Sequence, residues 1–352
     1  MIRFEPRAGA SPVRGMGLRL LAVAAALALA AIPLRVAGAP ILPAYLAMVQ
    51  GAAGTLFALT ETLTRATPLI FTGLAAAIAF RARLYNIGAE GQLYLGALAA
   101  VAVGSGAVNA PPVVLVPLVM LAAAAAGAAL MLGPTILKAR FGVDEVVTTL
   151  LLNFVVLLFI QMMLEGPFRD PMGGGWPQSE PMLPDATLPP LLERMRLHAG
   201  LPIGLALCAL AHVLMGRTVL GLQIRAAGEN AAAAAYAGIP VLRTLLIVGA
   251  LSGGLAGLAG ASEVAGLKGN LTADLSRGFG YAGIVVAMVA GLQPLAVIPA
   301  AILVAGVFVG ADTMSRSYGV SSYIADLIVA LALLCVLVAG LFVRFKIRWE
   351  RA

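Results

Sequence analysis

Residues 145–165 read EVVTTLLLNFVVLLFIQMMLE. Charge stands only at the two ends, Glu145 and Glu165, with an uncharged and mostly apolar run between them. About 20 such residues at 1.5 Å rise span the ~30 Å hydrocarbon core of a bilayer, so the stretch reads as a membrane-crossing helix. Working outward, comparable stretches recur at about 18–36, 66–81, 88–108, 113–135, 200–215, 244–264, 280–292, 294–312 and 323–343. The expected fold is an all-α polytopic membrane bundle of about ten transmembrane helices. Only Gln293-Pro294 separates 280–292 from 294–312, which predicts a tight hairpin or a broken helix. The less regular 41–64 reads as an amphipathic helix on the outer face.

Composition agrees. Hydrophobic residues make up 61% of the 352 and charged residues 11%, against about 25% charged in a soluble domain. A soluble enzyme is excluded, and so is a disordered chain. The net charge of +7 does not indicate nucleic acid, because the basic residues stand singly or in small groups between apolar stretches. Their placement orients the chain instead. With the N-terminus inside, segments 1–19, 81–83, 137–141, 216–243 and 344–352 face the cytoplasm and hold 15 of the 23 Lys and Arg. Both termini are then cytoplasmic, whereas an odd span count puts one basic end outside. The whole of 1–352 reads as one transmembrane domain with a cytoplasmic tail at 1–19. Ala37-Gly38-Ala39 resembles a signal-peptide cleavage site, but Arg35 directly before it and the long basic region favour a retained first span.

Two loops stand apart. The outer loop 166–199 carries seven prolines and Gly173-Gly174-Gly175, which cannot continue a helix. The inner loop 216–243 is Ala-rich and reads as one or two short helices on the cytoplasmic face.

Polar residues inside spans are costly, so each is a functional candidate. Asn86, Glu90 and Tyr94 recur at four-residue spacing on the third span, which places them on one helical face. The preceding RARLYNIGAEG (81–91) reads as a short unwound segment. Glu145, Thr149 and Asn153 form a second stripe on the fifth span. The stripes either line a polar path or make buried interhelical hydrogen bonds, and Arg83 and Glu145 are close enough to the inner interface to snorkel. Glu61, Glu263, Asp312 and Asp326 fall near span ends and read as solvated. Gly249, Gly253 and Gly257, like Gly306 and Gly310, have the spacing of close helix packing.

Catalysis has little support. There is no HExxH, no GxxxxGK[ST] and no convincing base for Ser252; His198, His212, Cys208 and Cys335 offer neither a metal site nor a disulfide framework. The chain is expected to need no cofactor, and uphill transport would draw on an ion gradient, with Glu90 as its titrating group, or on a separate ATPase.

Four segments together carry a resemblance. They are TPLIFTGLAAAIAFRARLYNIGAEGQ (67–92), KARFGVDEVVTTLLLN (138–153), GLQIRAAGENAAAAAYAGI (221–239) and GFGYAGIVVAMVAGLQPLAV (278–297). In order and spacing they resemble permease subunits of bacterial ABC importers, in the branch serving ribose, branched-chain amino acids and nucleosides. NIGAEGQ, the outer loop and the length are most similar to the longer permease of nucleoside-type importers. The resemblance implies an inner-membrane permease moving nucleosides or related purines, with a monosaccharide or a branched-chain amino acid as the alternative. It implies a cytoplasmic ABC ATPase that binds the ATP, a second, shorter permease, and an extracytoplasmic solute-binding protein facing the outer loop. The coupling helix maps onto Arg225 to Gly238, through Arg225, Gly228, Glu229, Asn230, Tyr236 and Gly238. Asn86, Glu90 and Gln92 fall near the translocation path. The sequence departs from the family at Asp144, where Asn is common, and at Ala282, where Asp is frequent.

Overall fold

A computed structural model describes residues 2–6 and 12–349. Arg7 of the basic tail and residues 350–352 of the basic C-terminal end lie outside the described residues. In chain order the elements are β1 (Ile2–Pro6), α1 (Pro12–Val36), α2 (Ile41–Ala53), α3 (Leu56–Arg81), α4 (Ala89–Gly104), α5 (Pro112–Phe141) and α6 (Glu145–Glu165). They continue with α7 (Gly200–Arg217), α8 (Val219–Glu229), α9 (Ala231–Tyr236), α10 (Val241–Glu263), α11 (Phe279–Val289), α12 (Val297–Tyr318), α13 (Ser322–Arg344) and β2 (Phe345–Trp349). A π-helical turn, Val264–Lys268, prolongs α10, and a 3-10 turn, Pro294–Ala296, leads into α12.

Each of the ten apolar stretches falls on a helix, but only seven of the described helices are long and apolar enough to cross a membrane. The number rises to eight if α1 and α2, bent by 115° at their junction, count as one broken span. The shortfall has a physical origin. α4, which follows the non-helical 82–88, ends at Gly104 and keeps 16 residues; α11 ends at Val289 and keeps 11. Nor is 41–64 one amphipathic helix, since it breaks at Gly54-Thr55 into α2 and the first turns of α3. The inner loop does hold two short helices, α8 and α9.

The chain divides into two compact units. One comprises 1–62 and 303–352, where α1 packs along α13 around Leu34, Ala44, Met314 and Ile328. Gly51 abuts Thr313 and Gly310 abuts the Met48 carbonyl, so neither has room for a Cβ. β1 and β2 pair antiparallel, with Phe4 opposite Ile347, and bring the two ends of the described chain together.

The other unit, 63–302, is built on α10, wedged between α4 and α5. Gly253 rests on the Gly127 carbonyl, Gly257 on that of Ala123 and Gly260 on that of Leu93; a Cβ at any of them would overlap backbone. The four-residue glycine spacing is therefore a packing device. α6 and α7 leave most of their apolar surface exposed, as helices in contact with lipid do. One end of the unit carries α8 and α9. The other carries the 166–199 loop, tied down where the Leu183 N–H donates to the Gly104 carbonyl (2.8 Å) and the Leu188 N–H to that of Ala265 (2.8 Å).

Candidate functional site

Non-helical backbone at membrane depth persists only where protein or water satisfies its polar groups. The segment 82–88 meets that demand through α6. Glu145 Oε1 accepts from the Tyr85 N–H (2.9 Å) and Thr149 Oγ1 from the Ile87 N–H (3.2 Å). Asn153 takes both polarities, donating from Nδ2 to the Ile87 carbonyl (3.0 Å) and accepting at Oδ1 from the Gly91 N–H (2.8 Å). Successive residues of the stripe, four apart on α6, thus meet Tyr85, then Ile87, then Ile87 together with Gly91 in the first turn of α4. Lys138 donates to the Arg83 carbonyl and forms an ion pair with Glu145. Held this way, Glu145 is buried rather than snorkelling to the interface, whereas Arg83 is exposed.

Asn86 does not share a helical face with Glu90 and Tyr94, because the chain is unwound until Ala89. Its Nδ2 donates to Gln92 Oε1 (2.8 Å) and Ser252 Oγ (2.9 Å), and its Oδ1 accepts from Gln92 Nε2 (2.9 Å) and the Gly88 N–H (2.9 Å). Ser252 passes the connection to the Ala75 carbonyl of α3. Glu90 Oε2 accepts from the Gly280 N–H at 2.7 Å, with Ser276 and the Gly278 N–H also bonded to the carboxylate. It caps the N-terminus of α11, where unpaired amides and the helix dipole favour a carboxylate. The Tyr94 hydroxyl donates to the Ala273 carbonyl (2.8 Å) and accepts from the Ser276 N–H (3.1 Å), stapling the loop that enters α11.

Asn86, Glu90, Gln92, Tyr94, Thr149 and Asn153 are therefore brought into one junction of α4, α6, α10 and α11, each at most 4% exposed. Sequence reasoning missed two of its members. Ser252 sits within the glycine repeat of α10 and was weighed only as a nucleophile. Tyr281, 38% exposed, receives a hydrogen bond from Asn153 Nδ2 (3.1 Å), and its only signal is the GFGYAG run. Of the two departures, Asp144 caps α6 by accepting from the Val146 N–H (2.8 Å), a task Asn performs equally. Ala282 is buried on α11.

At the far end of this unit the expected coupling residues separate into two groups. Arg225 is held by the Met215 carbonyl, and Gly228 rests on that of Arg81 with no room for a Cβ. Asn230 caps α9 by accepting from the Ala233 N–H (3.0 Å), and Gly238, at φ 82°, ends the turn after it. These four place α8 and α9. Glu229 and Tyr236 are exposed, Tyr236 at 96%.

Of the charges expected at span ends, Asp326 is exposed and Glu61 and Asp312 are half-buried. Glu263 is fully buried, because the π-turn carries the helix one turn past it.

Residues 58–338 match the family described as branched-chain amino acid transport system / permease component. The chain is 35% identical to the glucose ABC transporter permease protein TsgB13 of Haloferax volcanii, over 98% of this chain and 93% of that one. It is 35% identical to the guanosine ABC transporter permease protein NupP of Bacillus subtilis, over 90% and 91%. It is 31% identical to the nucleoside ABC transporter permease protein NupB of Lactococcus lactis, over 75% of each. No solved structure gives a significant match. A family match over most of the chain, near full-length relatives that are transport subunits, and long apolar helices agree: this is a multi-pass membrane protein, a non-catalytic ABC-transporter permease belonging to the branched-chain amino acid transport system / permease component family.

Proposed function

We propose that this permease imports a small solute bearing a sugar ring, a monosaccharide or a nucleoside. What supports the solute is the pair of relatives at 35% identity, one named for glucose and one for guanosine, whose named solutes share a hydroxylated ring. What supports translocation is the pairing of a broken α3–α4 connection with the short α11, since discontinuous helices meeting at membrane depth are how transporters build solute paths. Asn86, Glu90, Gln92, Tyr94, Thr149 and Asn153 hold that junction together, and half-exposed Tyr281 is its accessible polar edge.

The chain works as one permease domain with ten crossings and both termini cytoplasmic, which the charge distribution favours. A solute-binding protein delivers solute at the 166–199 loop, whose tip exposes Met172 and Trp176. A second, shorter permease completes the translocation path. A cytoplasmic ATPase docks on α8 and α9, where Arg225, Gly228, Asn230 and Gly238 fix the geometry and Glu229 and Tyr236 meet the partner.

The test is uptake of labelled glucose and guanosine in cells lacking the gene, with ribose and leucine as competitors. Loss of uptake that the gene restores, competed by sugars or nucleosides and not by leucine, supports the proposal. Loss confined to leucine keeps the permease and overturns the solute.

A further inference from the structure

α11 has 11 residues, too few to cross a membrane alone, and α3 grips it near its start and past its end. Thr72 Oγ1 donates to the Phe279 carbonyl (3.0 Å), and Gly283 lies on Thr72 with no room for a Cβ. These contacts meet only the first half of α11. Beyond its other end, Arg81 Nε donates to the Leu292 carbonyl (3.2 Å).

Arg81 is also where α8 meets this part of the chain. Gly228 of α8 lies so closely over the Arg81 carbonyl that a Cβ would overlap it, with the Ala82 backbone beside it. Backbone rests on backbone there, so no flexible side chain absorbs a push from α8. One residue thus touches α8 through its main chain and the end of α11 through its guanidinium.

The backbone is strained at this link. Among the described residues, three other than glycine have φ in the left-handed region, and two of them stand here. Leu292 (φ 60°) supplies the carbonyl that Arg81 binds, and Arg83 (φ 52°) follows Arg81 by two residues. Such residues persist where their surroundings over-determine them, and they cluster at switch regions. Gly291 (φ 61°) directly precedes Leu292, so two successive left-handed residues form the turn after α11.

We propose that Arg81 is a positioning residue that makes α11 follow α8. A shift of α8 pushes the end of α3 through Gly228, and the Arg81 guanidinium carries the Leu292 turn with it. Glu90 of α4 caps the first turn of α11, so the shift reaches the junction of broken helices. The proposal rests on the reading of α8 and α9 as the ATPase-docking elements and adds the route from them to the solute path.

The experiment reconstitutes the whole importer in liposomes with wild-type, Arg81→Met, Arg81→Gln or Leu292→Gly permease. It reads ATP hydrolysis with and without solute-loaded binding protein, and uptake of labelled guanosine and glucose. Met and Gln lose the same charge, but only the Gln amide places an N–H where arginine has Nε. At equal amounts of assembled importer, Gln should keep uptake within about twofold of wild type and Met should lower it at least about tenfold, with basal hydrolysis unchanged. Leu292→Gly keeps Arg81 but lets the turn swivel, because glycine takes many conformations besides φ 60°, and it should lower uptake as Met does.

Equal losses in Met and Gln assign the effect to charge and overturn the proposal. So does full uptake with Met or with Leu292→Gly, and so does loss of the ATPase from the purified Met complex, which marks a docking role. If Arg81→Met does not fold, Leu292→Gly decides. A wild-type complex that does not retain the ATPase, or takes up neither solute, overturns the import reading and the proposal with it, and is seen without recourse to the variants.

Discussion

Asn86 is the residue on which the junction turns. Four hydrogen bonds converge on its amide, from or to Gln92, Ser252 and the Gly88 backbone, with no solvent to replace them. Asn86→Ala takes two hydrogen bonds from the Gln92 amide, leaving it only the weak Met131 Sδ acceptor, and strands the Gly88 N–H in a buried site; it is expected to destabilise the protein by about 2–4 kcal/mol. Tyr281→Phe removes a single bond at a half-exposed hydroxyl and should lose less than about 1 kcal/mol. Thermal unfolding of both variants in detergent checks the pair; equal losses would mean that Asn86 does not organise the unwound segment. The contrast follows from burial and from four hydrogen bonds set against one.

At the scale of elements, α10 packs backbone to backbone against α5. Gly257→Ala pushes a methyl into the Ala123 carbonyl and is expected to destabilise by about 1–3 kcal/mol. Gly133→Ala, on α5 where nothing lies within 4 Å, should be neutral or stabilise by up to about 1 kcal/mol through helix propensity. Melting temperatures that fall equally for both would remove close packing as the role of the repeat. The glycine spacing, the ten apolar stretches that fall on helices and the unwinding before Ala89 were legible in the sequence, because composition and periodicity act over neighbouring residues. The partners were not. That Thr149 and Asn153 serve the backbone of Ile87 and Gly91, or that Glu90 caps α11 some 190 residues away, depends on contacts that no local period encodes. The π-turn left no trace either, so Glu263 was expected at an exposed span end when it lies one turn inside.

For the molecule as a whole, the prediction concerns sidedness. In a Cys208→Ala/Cys335→Ala background, Gly173→Cys should react with a membrane-impermeant maleimide in intact cells, and Tyr236→Cys only after the cells are opened. Labelling of both in intact cells would overturn the assignment of α8 and α9 to the cytoplasm. The pairing of β1 with β2 accords with the proposed even number of crossings, which places both ends of the described chain on one side.

The clasp that α6 places on residues 85–91 also sets an order of assembly. The unwound backbone emerges from the ribosome some 60 residues before Asn153, and until α6 follows, the N–H groups of Tyr85, Ile87 and Gly91 lack their partners. Until α6 is made, that segment must stay helical, stay in water or stay sheltered by the insertion machinery. A nascent chain halted before Glu145 therefore holds α3 and α4 without the break between them secured, and the break becomes permanent only when α6 arrives alongside.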